Sequence, residues 1–201
     1  MTATPRELDD PNQDEAGLQY GYRASLIGGG RQFALTEQGL SWQIGARSGV
    51  WPYQSIASVR LSFRPVSMQS RRFRADLRTL DGQRLTILST SWQTVTLMAP
   101  QDQAYRAFMV ALHQRLQAAR SQAELTGGLS PLAYNGALVV LALLAVAMTA
   151  LLARAVAVGE WPGVLFILGF AALFGWQIGG FIRRNKPRRY SFDALPAELL
   201  P

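Results

Sequence analysis

Apolar positions follow three different patterns along this chain, and each pattern predicts a different kind of element. Over 18–91 they come in short runs broken by turn residues: Gly28-Gly29-Gly30, Glu37-Gln38-Gly39, residues 45–49, Pro52-Tyr53-Gln54 and Asp81-Gly82. Two runs alternate strictly. Val59, Leu61 and Phe63 alternate with Ser58, Arg60, Ser62 and Arg64, and Phe73, Ala75 and Leu77 with Arg72, Arg74, Asp76 and Arg78. A period of two sends successive side chains to opposite faces, so each run reads as a strand with one buried face and one wet, basic face. About seven short strands at close intervals predict an antiparallel barrel or sandwich.

From Asp102 the period changes. Tyr105, Phe108, Met109, Leu112 and Leu116 recur at helical spacing while Arg106, Gln114, Arg115 and Arg120 fall elsewhere. This predicts one amphipathic helix, ending near Ala123, that caps the sheet. Residues 125–131 then read as a linker, with two glycines and a proline to stop the helix.

The third pattern has no period at all. Residues 132–153 and 163–182 are continuous apolar runs. The first is free of charged or strongly polar groups over 137–153, roughly 26 Å of helix, and the second covers roughly 30 Å with Gln177 as its one polar side chain. These lengths match the hydrocarbon thickness of a bilayer and predict a two-helix transmembrane hairpin, with spans over 132–154 and 163–182. Tyr134, Trp161 and Trp176 lie near the span ends, where amphipathic rings favour the interface. Ala171, Gly175 and Gly179 repeat every four residues and suit close helix packing. Their partner is either the alanine-rich first span or another subunit.

Charge orients the hairpin. Residues 154–162 hold one Arg and one Glu, whereas Arg183, Arg184, Lys186, Arg188 and Arg189 crowd the seven positions after the second span. The positive-inside rule then predicts a two-pass membrane protein with both termini cytoplasmic. Residues 1–16 carry Glu7, Asp9, Asp10, Asp14 and Glu15 against Arg6, which predicts a disordered acidic tail without the apolar core of a secretory signal. The overall charge of +7 therefore understates how basic the remainder is.

Candidate chemistry is sparse. The chain has no cysteine, so neither a disulfide nor thiolate catalysis is expected. His113 is the sole histidine, beside the apolar stripe of the helix, and Glu37, Asp76, Asp81, Asp102 and Glu124 are dispersed. No catalytic set, metal site or cofactor is predicted from these residues. The triple glycine lacks the spacing and the following helix of a phosphate-binding loop and reads as a hairpin turn.

Leu35-Thr36, Gly39-Leu40, then Pro52-Tyr53, Ile56 and Val59 form the pattern L-T-x-x-G-L … P-Y-x-x-I-x-x-V. With the strand series and the closing helix, residues 18–123 resemble bacterial pleckstrin-homology-like (PH-like) membrane proteins. The resemblance implies an α+β architecture: a PH-like sandwich or barrel capped by a helix, followed by the transmembrane hairpin. The expected organisation is an acidic tail over 1–16, a PH-like domain over 17–124, a linker over 125–131, the hairpin over 132–182 and a basic tail over 183–201.

The outward arginines are the best candidates for binding. If the two basic runs pair across the turn between Pro65 and Arg71, then Arg60, Arg64, Arg72, Arg74 and Arg78 share a face with Asp76 as its only acid. Such a face attracts anionic lipid, at roughly 1 kcal/mol per cation near the surface, or is simply solvated. The cations of 183–189 sit at the same membrane. In the tail, Leu195, Leu199 and Leu200 stand where a free terminus would be polar, which predicts docking on the domain or on a partner. No aromatic ladder accompanies the arginines, so nucleic acid is not an expected ligand. The expected role is a non-enzymatic binding or assembly module for protein partners and anionic lipid. The alternatives are an accessory subunit of a larger membrane complex and a membrane enzyme whose site spacing does not reveal.

Overall fold

Strict alternation of apolar and polar side chains becomes strand wherever it occurs. The computed structural model describes residues 18–25, 29–65, 71–94 and 98–201. The acidic stretch 1–16, Gly28 of the glycine turn and the turn residues between Pro65 and Arg71 lie outside them. The architecture is α+β. Strands β1 (Gln19–Arg23), β2 (Gly30–Leu35), β3 (Leu40–Ile44) and β4 (Arg47–Trp51) form an antiparallel sheet in sequence order. A second sheet contains β5 (Ile56–Phe63), β6 (Phe73–Thr79) and β7 (Arg84–Leu88), and β8 (Thr90–Trp92) with β9 (Met98–Pro100) makes a small ribbon.

Helix α1 (Asp102–Ala118) buries Tyr105, Phe108, Met109, Leu112 and Leu116, the stripe that its spacing predicts. Those side chains meet Tyr20, Phe33, Leu61, Leu77 and Ile87 from the two sheets in one core. Tyr20 and Tyr105 contact edge to face at 6.0 Å, a favoured aromatic geometry. The helix stops about one turn before Ala123, and Arg120 adopts a left-handed φ of 52° as the chain reverses.

The predicted linker is partly strand. Residues Glu124–Gly127 form β10, which lies parallel to β5 with Leu125 turned into the core. The predicted basic tail is also built into the fold. Arg188–Arg189 form β11, antiparallel to β10, so the second sheet reads β11-β10-β5-β6-β7. Leu199 and Leu200 then enter the core, fully or nearly fully buried. Each such leucine contributes about 1.5–3 kcal/mol, which explains why the terminus docks.

Helices α2 (Pro131–Val158) and α3 (Trp161–Arg184) are both long and apolar enough to cross a membrane, with mean hydropathy 2.6 and 1.9 over their best windows. They exceed the expected spans, because the helix continues past Arg154 until Gly159, whose φ of 77° closes the turn. Arginine is a good helix former and a charge alone does not end a helix. The connection is therefore two residues, Gly159 and Glu160, instead of the eight left between the expected spans. Neither best window is buried in the fold, and Leu132 and Trp176 are 86% and 82% exposed. A helix apolar on every side and uncovered by protein suits lipid as its solvent.

The small-residue face does not join the two helices. A side chain added at Gly175 or Gly179 would meet nothing within 4 Å, and Ala171 is exposed. The less exposed positions of α2 are Tyr134, Ala137, Leu141, Met148, Leu152 and Ala155, which recur on one side of the helix. On α3 they include Val164, Ile167 and Ile178. Gly175 and Gly179 thus lie away from the covered side of α3.

Two buried polar residues fasten the hairpin to the domain. Asn185, wholly buried at the end of α3, accepts from the Phe63 backbone N–H at 3.0 Å and donates to its carbonyl at 2.8 Å. Its own carbonyl accepts from Leu129 N–H at 2.9 Å. At the same crossing Gly128 has a φ of 86°, and a Cβ there would lie 2.5 Å from the carbonyl oxygens of Asn185 and Lys186. His113, expected at the edge of the helix's apolar stripe, is wholly buried. Its Nδ1 stands 2.6 Å from the Met109 carbonyl and its Nε2 3.0 Å from the Tyr190 hydroxyl. A carbonyl only accepts, so the neutral ring carries its proton on Nδ1 and receives the tyrosine hydroxyl at Nε2.

Replacing Asn185 with Ala leaves the Phe63 N–H and C=O unpaired in a dry setting, at about 1–3 kcal/mol for each group. The denaturation midpoint of the full chain in mild detergent, followed by tryptophan fluorescence, should fall accordingly. An unchanged midpoint would remove the junction from the list of stabilising contacts.

Burial lowers the pKa of His113, so the unfolded chain takes up a proton before the folded one does. Its contribution to stability is complete above the ordinary histidine value near 6.5 and declines as pH falls through the depressed folded value. The stability of His113→Gln should lose this acid-side slope, measured between pH 7 and 5.

Candidate basic membrane-proximal site

Register decides which arginines share a face. Across the second sheet one row runs Arg189, Thr126, Arg60, Asp76, Thr86, and another runs Glu124, Ser58, Arg78, Arg84. Ser62 stands opposite Arg74, and the Arg64 N–H donates to the Arg72 carbonyl at 2.8 Å beyond the last pair. All five predicted arginines, in β5 and β6 or just beyond their paired ends, therefore belong to the polar face. Two more join them: Arg84, opposite Arg78, which local reading left out, and Arg189, expected in the basic tail and carried there by β11. Glu124 is a second acid on this face and lies 3.1 Å from Arg189.

The charges are not equally free. Asp76 chelates Arg74 through contacts of 2.7–2.9 Å and also accepts from the Thr86 hydroxyl at 2.7 Å. Arg60 donates to Thr126 at 3.3 Å. In the tail, Arg188 is ion-paired with Glu198. This hydrogen bond holds the Glu198 carboxyl below the usual range. Lys186 and Arg183 are exposed, and the Arg184 guanidinium lies 5.0 Å from the Phe63 ring centroid.

Position along the strands separates the cations further. Phe63, the residue held by Asn185, marks the end of β5 next to the hairpin. Arg64 and Arg72 lie just beyond it, and Arg74 one row before it. Arg78, opposite Ser58, stands five residues back, about 17 Å along the strand. Screening acts over about 8 Å at physiological ionic strength, so Arg78 and Arg84 add little field at the junction.

The proximal arginines open onto a cleft of about 560 Å³ between β2 and the ends of β5 to β7, lined by Arg31, Arg64, Arg72, Arg74, Thr86 and Leu88 among others. Arg31 was not among the expected binding residues. It starts β2, and its Nη1 donates to the Tyr22 hydroxyl at 3.4 Å, which itself donates to the Thr86 carbonyl at 2.5 Å. Burial raises the Tyr22 pKa against the opposing pull of Arg31. Arg72 is the constrained member. One guanidinium nitrogen meets Met98 Sδ at 3.2 Å while its Nε is buried without a hydrogen-bond partner. Desolvation, then the neighbouring Arg74, lowers its pKa. A cation short of acceptors beside another cation creates a demand for an anion, most strongly for one with several oxygens.

Among the described residues no group of three or more His, Cys, Asp or Glu side chains is placed to hold a metal ion. No family model, curated protein or solved structure matches the chain.

Asp76→Asn removes the partner of Arg74 and one negative charge from the face. The full chain in mild detergent should then elute from a polyanionic column at higher salt than the parent. Elution at the same salt would place this face outside the binding surface.

Proposed function

We propose that this chain is a membrane-anchored, non-enzymatic PH-like module at the cytoplasmic face of the bacterial inner membrane. Its proximal arginines hold anionic lipid and its domain presents a surface to a protein partner. The carrying observation is a coincidence of place: the cationic cleft and the hairpin junction occur at the same end of β5 and β6. A polybasic group gains roughly 1 kcal/mol per residue near an anionic leaflet, but only within a screening length of it. Arg64 and Arg72 stand next to the Phe63–Asn185 connection, and Arg31 lines the same cleft.

The PH-like label is supported by order. A four-stranded antiparallel sheet, three further antiparallel strands and, after the short β8–β9 ribbon, a helix packed against the first sheet follow the order expected of that fold. The cytoplasmic side is supported by charge. Lys186 and four arginines flank the exit of α3, whereas the tight turn between the helices contains Glu160 and no cation. Because β5, β10 and β11 share a sheet, the segments before and after the hairpin belong to one side.

The test uses the whole chain, since residues beyond the hairpin complete the domain. In nanodiscs mixing phosphatidylglycerol and phosphatidylcholine, the parent protein should retain phosphatidylglycerol preferentially after mild extraction. Changing Arg31, Arg64 and Arg72 to Gln should weaken that preference by roughly fivefold for each arginine at low salt. Equal retention of the two lipids by the parent would refute the reading.

A further inference from the structure

A second cleft occupies the other side of the junction, and its chemistry differs from the first. It has a volume of about 290 Å³ and is lined by Arg71, Arg183 and Arg184 together with Asp102, Glu198 and Leu200, among others. Arg183 and Arg184 form the last turn of α3. A helix of this length outruns the roughly 30 Å hydrocarbon layer, so its terminal turn falls at headgroup depth.

Both signs of charge are present, and they are not all spent on one another. Glu198 is paired with Arg188. Among the described residues Asp102 makes no ion pair, and its Oδ1 is buried without a hydrogen-bond partner. None of Arg71, Arg183 and Arg184 is in an ion pair with a described carboxylate. A simple anion would satisfy the guanidinium groups and leave Asp102 unmatched. A simple cation would satisfy Asp102 and be repelled by three arginines. A group carrying a phosphate beside a primary ammonium satisfies both.

We propose that this cleft binds the headgroup of an aminophospholipid, its phosphate on Arg71, Arg183 and Arg184 and its ammonium on Asp102. The inference rests on α2 and α3 spanning a membrane, as proposed above. It assigns selectivity to a position that the basic cleft does not contain. Phosphatidylethanolamine can donate N–H bonds to the carboxylate, while the quaternary ammonium of phosphatidylcholine has no hydrogen to give.

The full chain, reconstituted in a mixture of phosphatidylethanolamine, phosphatidylcholine and phosphatidylglycerol, is released into mild detergent and its retained lipids are weighed by native mass spectrometry. The parent should keep ethanolamine lipid over choline lipid by about tenfold, the value of one charged hydrogen bond. Asp102→Asn should bring that ratio close to one with phosphatidylglycerol retention intact. Retention ratios are read on the folded, lipid-bearing species, so a poorly folding variant does not decide the result; the parent ratio does. Equal retention of the ethanolamine and choline lipids by the parent overturns the proposal. Loss of the phosphatidylglycerol preference alone, in the parent, refutes the basic-cleft reading and leaves this one standing.

Discussion

The amide of Asn185 is the constraint from which the rest of the arrangement follows. A carboxamide presents one acceptor and two donors in a plane, which is what a strand residue offers its neighbour. At the end of β5 it substitutes for a missing strand partner by satisfying both backbone groups of Phe63. The bond ties the last turn of α3 to the central strand of the second sheet. An adjacent crossing at Gly128 admits no side chain, so the two chain segments that flank the hairpin run in contact. Domain and hairpin are thereby joined by short, buried polar contacts instead of by a tether.

That junction gives the arginines their meaning. A cation's effect on a membrane decays over about 8 Å, so its value depends on distance from the bilayer more than on its number in the sequence. The register places Arg64, Arg72 and Arg74 beside the junction and sends Arg78 and Arg84 to the far end of the sheet. Acids then divide the nearer group. Asp76 neutralises Arg74, whereas Arg72 is left partly desolvated with an unused donor. On the opposite side of the junction, Asp102 makes no ion pair with Arg71, Arg183 or Arg184. The two clefts therefore present different charges, arginines in the first and arginines beside Asp102 and Glu198 in the second.

Much of the candidate site was legible locally. Alternation placed Arg60, Arg64, Arg72, Arg74 and Arg78 on polar faces because a strand's side-chain period is fixed by backbone geometry. Helical spacing identified the buried side of α1 for the same reason. Arg31 and Arg84 were missed because their relevance comes from neighbours across strands. The β10 and β11 pairing was missed because it joins Thr126 to Arg189 across the whole hairpin, through segments of four and two residues with no turn signal between them. His113 illustrates the same limit. Its helix position suggested a boundary residue, but Tyr190 and Phe192 arrive from the tail and bury it.

Sequence alone determined the properties carried by each segment independently: strand period, helix stripe, and two apolar runs long enough for a bilayer. These depend on side chains only a few residues apart, and no distant partner is needed to express them. Tertiary structure decided where the runs end, which arginines stand near the hairpin junction and which face α3 turns to its neighbour. The predicted glycine face is open, and the predicted linker and basic tail supply strands to the second sheet. Such outcomes depend on register and on competition among buried surfaces, quantities set only when residues far apart in the chain come into contact.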